Sequence, residues 1–272
     1  VGAGIKAAID QGLCKREDLW VTSKLWNTYH HPDHVKPALE KTLQDLQLDY
    51  LDLYMIHFPI SLEFVPFDQR YPPEWFNDPD SKEPVMIPSR VPLSDTWHAM
   101  EILKKEGLAK HIGICNYSSS LLHDLMNYCE TKPEILQVES HPYLTQEKLI
   151  RLAKNYGLEV TAFSPLGSLS YEELGGAEES ESLLKNESIQ SIAKDLNVSP
   201  AQLILSWALN RGTSIVVKSS DEARMKENLD ASIIKLDPFI LDQISALNIN
   251  KRYNDPGVFC EDAFNTFFPI YE

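Results

Sequence analysis

The sequence predicts an α/β protein built on a parallel sheet, of the (β/α)8 barrel class. Three observations carry that reading. Short β-branched and aromatic runs alternate with stretches of helical periodicity, which is the pattern of βα units. The runs are almost continuously apolar, as strands covered on both faces are. The chain has 272 residues, close to the ~250 that an eight-fold barrel typically takes.

The elements follow in order. The chain opens on a helical stretch, with Val1, Ile5, Ala8 and Ile9 on one face and Gly12 at its end. Runs that read as strands lie at 20–25, 50–57, 111–116, 136–140, 159–164 and 214–219. Helical stretches lie at 32–46, 92–106, 121–129, 146–156, 189–196 with 200–209, and 221–229. Gly107 and Gly157 stand where a left-handed residue closes a helix. Thr145 is placed as an N-cap before Gln146 and Glu147. Strand number and shear are linked in a closed barrel. The six visible strands are therefore read as part of a single barrel domain over 1–272, with its first two strands and most of one helix expected upstream of Val1. Two segments break the rhythm: 60–91, long and rich in proline and aromatics, and the tail 250–272, read as irregular and aromatic. Loops at the C-terminal ends of barrel strands build the site of such folds.

The formal net charge of −15 argues against nucleic acid or an anionic membrane as the main partner, since both need a basic face. Cys14, Cys115, Cys129 and Cys260 are scattered, with no CxxC pair and no Cys/His metal spacing. No metal site is predicted. Cys115 and Cys129 sit in apolar contexts and read as buried thiols, which fits a reducing, cytoplasmic setting. No apolar run approaches the ~20 residues of a membrane span, and no signal peptide opens the chain. Monomer and homodimer both remain open.

Several polar residues stand at strand ends. Lys24 lies in an apolar strand, where an unpaired lysine is costly to bury. By itself it reads as a snorkelling side chain. His57 ends the next strand, a position more often structural than catalytic. Asn116 and Gln137 could cap exposed backbone. Lys218, Ser219, Ser220 and Arg224 gather at a helix start. That is either an ordinary charged helix end or an anion site made of hydroxyls, amides and two cations. Asn254 stands in a turn-forming Asn-Asp-Pro. Trp26, Phe58, Trp75 and Phe76 either line a pocket mouth or pack the long loop. No GxGxxG occurs, so no Rossmann fingerprint is present.

Six motifs tie these residues together. They are VTSKLWN (21–27), LYMIHFP (53–59), GICNYS (113–118), LQVESHPYL (136–144), TAFSPLGS (161–168) and VVKSSDEARMKEN (216–228). In order and spacing they resemble the aldo-keto reductases over essentially the whole chain. IHFPI (56–60), RYPPEWF (70–76) and RYNDP (252–256) are similar to the xylose reductases of yeasts and fungi. The resemblance implies reduction of an aldehyde or aldose by hydride transfer from NADPH. Lys24 would acidify a tyrosine that protonates the carbonyl oxygen, and a carboxylate would hold the lysine. Both partners are expected upstream of Val1. His57 would orient the carbonyl. Asn116 and Gln137 would bind the nicotinamide carboxamide. Cys115 stands where the family usually has serine, and Phe163 where it has a tyrosine stacked on the ring. Ser164, Leu166 and Ser168 belong to the same cofactor loop. Lys218, Ser219, Ser220 and Arg224 would hold the adenosine 2′-phosphate, with Glu227 and Asn228 near the adenine amine. Ser220 replaces an asparagine and Val217 a proline. Glu173 matches a glutamate that binds the ribose hydroxyls in relatives using both cofactors, which would allow NADH as well. Phe58 and Asn254 would face the substrate, a small carbonyl compound. The alternative reading is a catalytically inactive remnant that binds cofactor or a protein partner.

Overall fold

The computed structural model describes residues 1–78, 80–172 and 175–271, Ser170 by its backbone. In chain order the first elements are α1 (Gly2–Asp10), β1 (Thr22–Leu25), α2 (Pro32–Leu46), β2 (Leu51–Ile56), α3 (Leu93–Lys105), β3 (Ala109–Cys115), α4 (Ser119–Tyr128) and β4 (Ile135–Glu139). They continue with α5 (Glu147–Asn155), β5 (Glu159–Phe163), α6 (Leu169–Glu172), α7 (Glu187–Asp195), α8 (Pro200–Asn210), β6 (Ser214–Ile215), α9 (Glu222–Asp230), α10 (Pro238–Ser245) and α11 (Pro256–Phe264). Strand order follows chain order. The chain forms two compact units, 1–136 with 256–272, and 137–255.

In the first unit β1, β2 and β3 run parallel, with Leu25 opposite Ile56 and Met55 opposite Gly113. Every residue of β2 is buried, as the unbroken apolar run predicts. A β-carbon at Gly113 would meet the Ile135 carbonyl oxygen at 2.6 Å, so this strand position requires glycine. α2 buries Val35, Ala38, Leu39 and Leu43, at the spacing of one helix face. α3 buries Trp97, Met100 and Leu103. Each of the buried valine, leucine and methionine side chains contributes about 1.5–3 kcal/mol on leaving water.

In the second unit β5 and β6 run parallel, with Ala162 opposite Ile215. Its core joins Leu183, Ile189, Leu203, Ile204, Trp207 and Ile244. α8 starts from a capping box, Ser199 with Gln202, and has Pro200 in its first turn.

Gly107 and Gly157 close their helices at φ +78° and +84°, as predicted. Four expectations are corrected. Thr145 is not the N-cap of α5: Gln146 takes that place in the left-handed region, while the Thr145 N–H donates to Asn248. The strand expected over 214–219 pairs only at 214–215, after which one more amide, that of Val216, reaches the Ala162 carbonyl. The tail is not irregular throughout, because α11 forms from Pro256 and buries Cys260. Cys129 is half-buried rather than buried.

Candidate functional site

Parallel pairing in the first unit sets three strand ends side by side. The His57 N–H donates to the Leu25 carbonyl at 3.1 Å, extending the β1–β2 ladder one step past β2. The Asn116 Nδ2 donates to the His57 carbonyl at 2.9 Å. Asn116 sits at φ +63°, a left-handed conformation that asparagine tolerates better than most residues. That kink turns its amide back toward the β2 end. The Trp26 ring meets His57 edge-on at 5.2 Å and is itself held by Nε1 donating to the Glu74 carbonyl.

The electrostatics follow from burial. The His57 imidazole is driven down to about 3, first by burial and then by the positive charge of Lys24. It is therefore neutral at physiological pH and carries one ring N–H to donate. Burial pushes the Cys115 thiol up to about 12, with Lys24 opposing. This thiol donates weakly to the Met55 sulfur at 3.8 Å. Lys24 thus lies in the field of both residues.

Lys24 also borders a cavity of about 250 Å³ shared with Tyr29, Tyr54 and Tyr71. None of these phenols is acidified. Burial raises Tyr29 to about 12 and raises Tyr54 and Tyr71 as well. Among the described residues, no carboxylate forms an ion pair with Lys24. Phe58 is buried with Ile60, Leu62, Met86 and Cys260, against Trp75. Its ring packs the wall behind the site.

The second unit carries a separate cavity of about 580 Å³. One side is the β5 end and the loop after it: Phe163, Ser164 and Leu166. The other is the β6–α9 loop with Lys218, Ser219, Ser220, Arg224 and Asn228. Lys218, Ser220 and Arg224 are exposed. The start of α9 is not a free anion hole. Asp221 caps it, accepting from the Arg224 N–H at 2.8 Å, and Ser219 Oγ accepts from the Asp221 N–H at 3.0 Å. The remaining groups still fit a phosphate: two cations, a serine hydroxyl and unspent amides at a positive helix end. Ser168 is fully buried, and its hydroxyl donates to Glu172. Glu227 offers its carbonyl to Gln202 and does not line the cavity. Gln137 is buried on β4. Glu173 lies outside the described residues.

Sequence reasoning missed a buried polar knot in this unit. Glu139 and His141 are both fully buried and bonded at 3.0 Å. The Glu139 carboxyl also accepts the N–H groups of Tyr253 and Asn254, each at 2.9 Å. It thereby fixes the backbone of the segment that carries Asn254. The signal was present: two ionisable residues flank Ser140 inside an otherwise apolar strand end. Among the described residues, no group of three His, Cys, Asp or Glu side chains could hold a metal ion, and no helix is long and apolar enough to cross a membrane.

Comparison with known proteins bears on this geometry. The model of the aldo/keto reductase family matches residues 2–249. The chain is 46% identical over 273 aligned positions to the NAD(P)H-dependent D-xylose reductase of Kluyveromyces lactis, covering 98% of this chain and 82% of that protein. It is 44% identical to the NADPH-dependent aldose reductase GRE3 of Saccharomyces cerevisiae, covering 98% of this chain and 83% of that protein. The solved aldose reductase of Schistosoma japonicum superposes with a TM-score of 0.84 at 32% identity, over all of this chain and 82% of that one.

Proposed function

Because the chain belongs to the aldo/keto reductase family, we propose that it reduces a small hydroxylated aldehyde or aldose to the alcohol with NADPH, and with NADH to a lesser extent. The observation that carries this reading is the Lys24–His57–Asn116 cluster at three consecutive strand ends. A reduced nicotinamide, when bound, supplies the hydride. A proton from water completes the alcohol, and binding and orientation fall to this chain's residues.

Neutral His57 donates its ring N–H to the substrate carbonyl and fixes where the oxygen lies. The Lys24 ammonium supplies positive charge as that oxygen becomes negative. Asn116 and Gln137 offer amide donors and acceptors to the carboxamide, and the partly exposed Phe163 ring a stacking face. Lys218 and Arg224 give two charges to the 2′-phosphate, the source of the preference for NADPH. Asn254 contacts substrate hydroxyls. Residues 1–272 act as one domain, so fluorescence and circular dichroism should report a single coincident unfolding transition.

The test is a cofactor and substrate panel. NADPH oxidation is followed with D-xylose, glyceraldehyde and a bulky ketone. Preference for the ketone, or equal affinity for NADPH and NADH, refutes the reading. A second reading is favoured by one specific observation: the phenols beside Lys24 are all raised rather than acidified. On that reading the chain binds cofactor without turnover. NADPH binding with no oxidation in the same panel would select it.

A further inference from the structure

Tyr171 stands between two loops of the second unit. Its hydroxyl lies 3.0 Å from Ser164 Oγ, in the wall of the larger cavity. The same hydroxyl accepts from Asn254 Nδ2 at 3.3 Å. Its ring stacks on Tyr253, with centroids 5.8 Å apart and planes 17° apart. Burial raises the phenol, so it keeps its proton. Because Asn254 donates to the phenol oxygen, the O–H remains for Ser164.

Two facts make this bond decide how Asn254 presents itself. Glu139 already fixes the backbone at Tyr253 and Asn254. What remains free is the side-chain amide, which could face either way. Tyr171 engages its NH2 end. The other end, Oδ1, is buried and has no hydrogen-bond partner among the described residues. An unpaired buried acceptor is costly unless a donor arrives. A ligand hydroxyl is such a donor.

We propose that Tyr171 is a positioning residue that orients Asn254 as a hydroxyl acceptor and ties that orientation to the cofactor-side loop through Ser164. The inference rests on the reading given under Proposed function. Its consequence is reciprocal coupling: a polyol held by Asn254 stabilises the Tyr171–Ser164 arrangement, and a cofactor held against Ser164 stabilises the orientation of Asn254.

The test is a double-mutant cycle read by binding. NADPH is titrated by fluorescence with and without xylitol, using the full chain. In the parent protein xylitol should tighten NADPH about three- to ten-fold, the range one ordinary hydrogen bond commands. Tyr171→Phe should bring that factor to about one, as should Ser164→Ala. Adding Asn254→Ala to Tyr171→Phe should change nothing further. In turnover, Tyr171→Phe should raise KM for D-xylose while leaving KM for propanal, which has no hydroxyl, unchanged. A merely structural role would move both substrates together. Undiminished coupling in Tyr171→Phe, fully additive effects, or no coupling in the parent protein would each overturn the proposal while leaving the reductase reading intact. Failure of the parent protein to bind NADPH at all would remove that reading, and this inference with it.

Discussion

The two candidate binding regions are built in opposite ways. In the first unit His57, Cys115 and Asn116 are set at the ends of packed parallel strands, and burial is the main cause of the His57 and Cys115 shifts, with the Lys24 charge adding to the first and opposing the second. In the second, Lys218, Ser220 and Arg224 sit on an exposed loop and a helix start, with their charges in solvent. A buried region can tune a proton or a dipole, because the low dielectric magnifies every neighbour. An exposed one can only add modest, screened attraction. Lys24 and His57 in the first should therefore govern rate, and Lys218 and Arg224 in the second the affinity for the phosphate.

The largest expected effect tests that division directly. His57→Ala and Lys24→Met should each lower kcat by about 10²–10⁴-fold while shifting the NADPH dissociation constant less than about three-fold. A variant that weakened NADPH but kept its rate would place the residue in the wrong region.

Next comes the buried knot. Glu139→Ala leaves His141 without its partner and two backbone N–H groups unmet. Removing one member of a buried pair costs about 3–5 kcal/mol. Urea denaturation should show that loss, and a change below about 1 kcal/mol would mean that water replaces the carboxyl.

The exposed cations rank third. Lys218→Met and Arg224→Ala should each cost about 1.5–3 kcal/mol of NADPH affinity, with little change for NADH. Raising salt should erode the parent protein's preference. A preference that survives both substitutions and 0.5 M salt would locate the phosphate elsewhere.

How much of this was legible in the sequence depended on the same contrast. Lys24, His57 and Asn116 stood out as polar residues within or at the end of apolar runs, but by themselves they read as structural and only the resemblance gave them roles; the parallel ladder brings these strand ends together. The second unit was harder. Its β6 was expected to reach 219, but only two residues pair, and the chain then leaves the sheet to line the cavity. Val217 carries strand-like chemistry but lines the cavity instead of extending the strand. Thr145 had the chemistry of a cap, yet Asn248, over a hundred positions away, claims its N–H. The tail looked irregular because its Asn-Asp-Pro reads as a turn, whereas proline also opens helices. Asp221 was passed over as a cap, although it decides how much of the α9 start is left for an anion.

Acid should expose the buried region before the exposed one. His30 is fully buried, and burial lowers it from 6.5 to about 3, close to the value for His57. The unfolded chain therefore binds more protons than the folded one between those values. Stability is complete above about 6.5 and falls as pH drops toward 3. For His30 the loss is about 2 kcal/mol by pH 5. Thermal midpoints from pH 8 to 4 should show this, and a His30→Asn variant should flatten the slope. A midpoint insensitive to pH across that span would contradict the burial argument.

The smallest expected effect lies where the first unit meets its own C-terminal segment. The Tyr271 hydroxyl donates to Asn116 Oδ1 at 3.0 Å, while the Nδ2 of the same amide donates to the His57 carbonyl. Both ends of Asn116 are thus engaged, and its amide cannot flip without losing two bonds. Tyr271→Phe removes one of them and keeps the ring. An ordinary hydrogen bond contributes about 0.5–1.5 kcal/mol, so nicotinamide affinity should weaken about two- to ten-fold, equally for NADPH and NADH. That equality separates this residue from Lys218 and Arg224, whose loss is felt through the phosphate alone. Asn116→Ala should weaken both cofactors more strongly, and adding Tyr271→Phe to it should do nothing further. If Tyr271→Phe altered the ratio of the two affinities, the hydroxyl would be acting on the adenosine end, and the assignment of Asn116 to the carboxamide would fall.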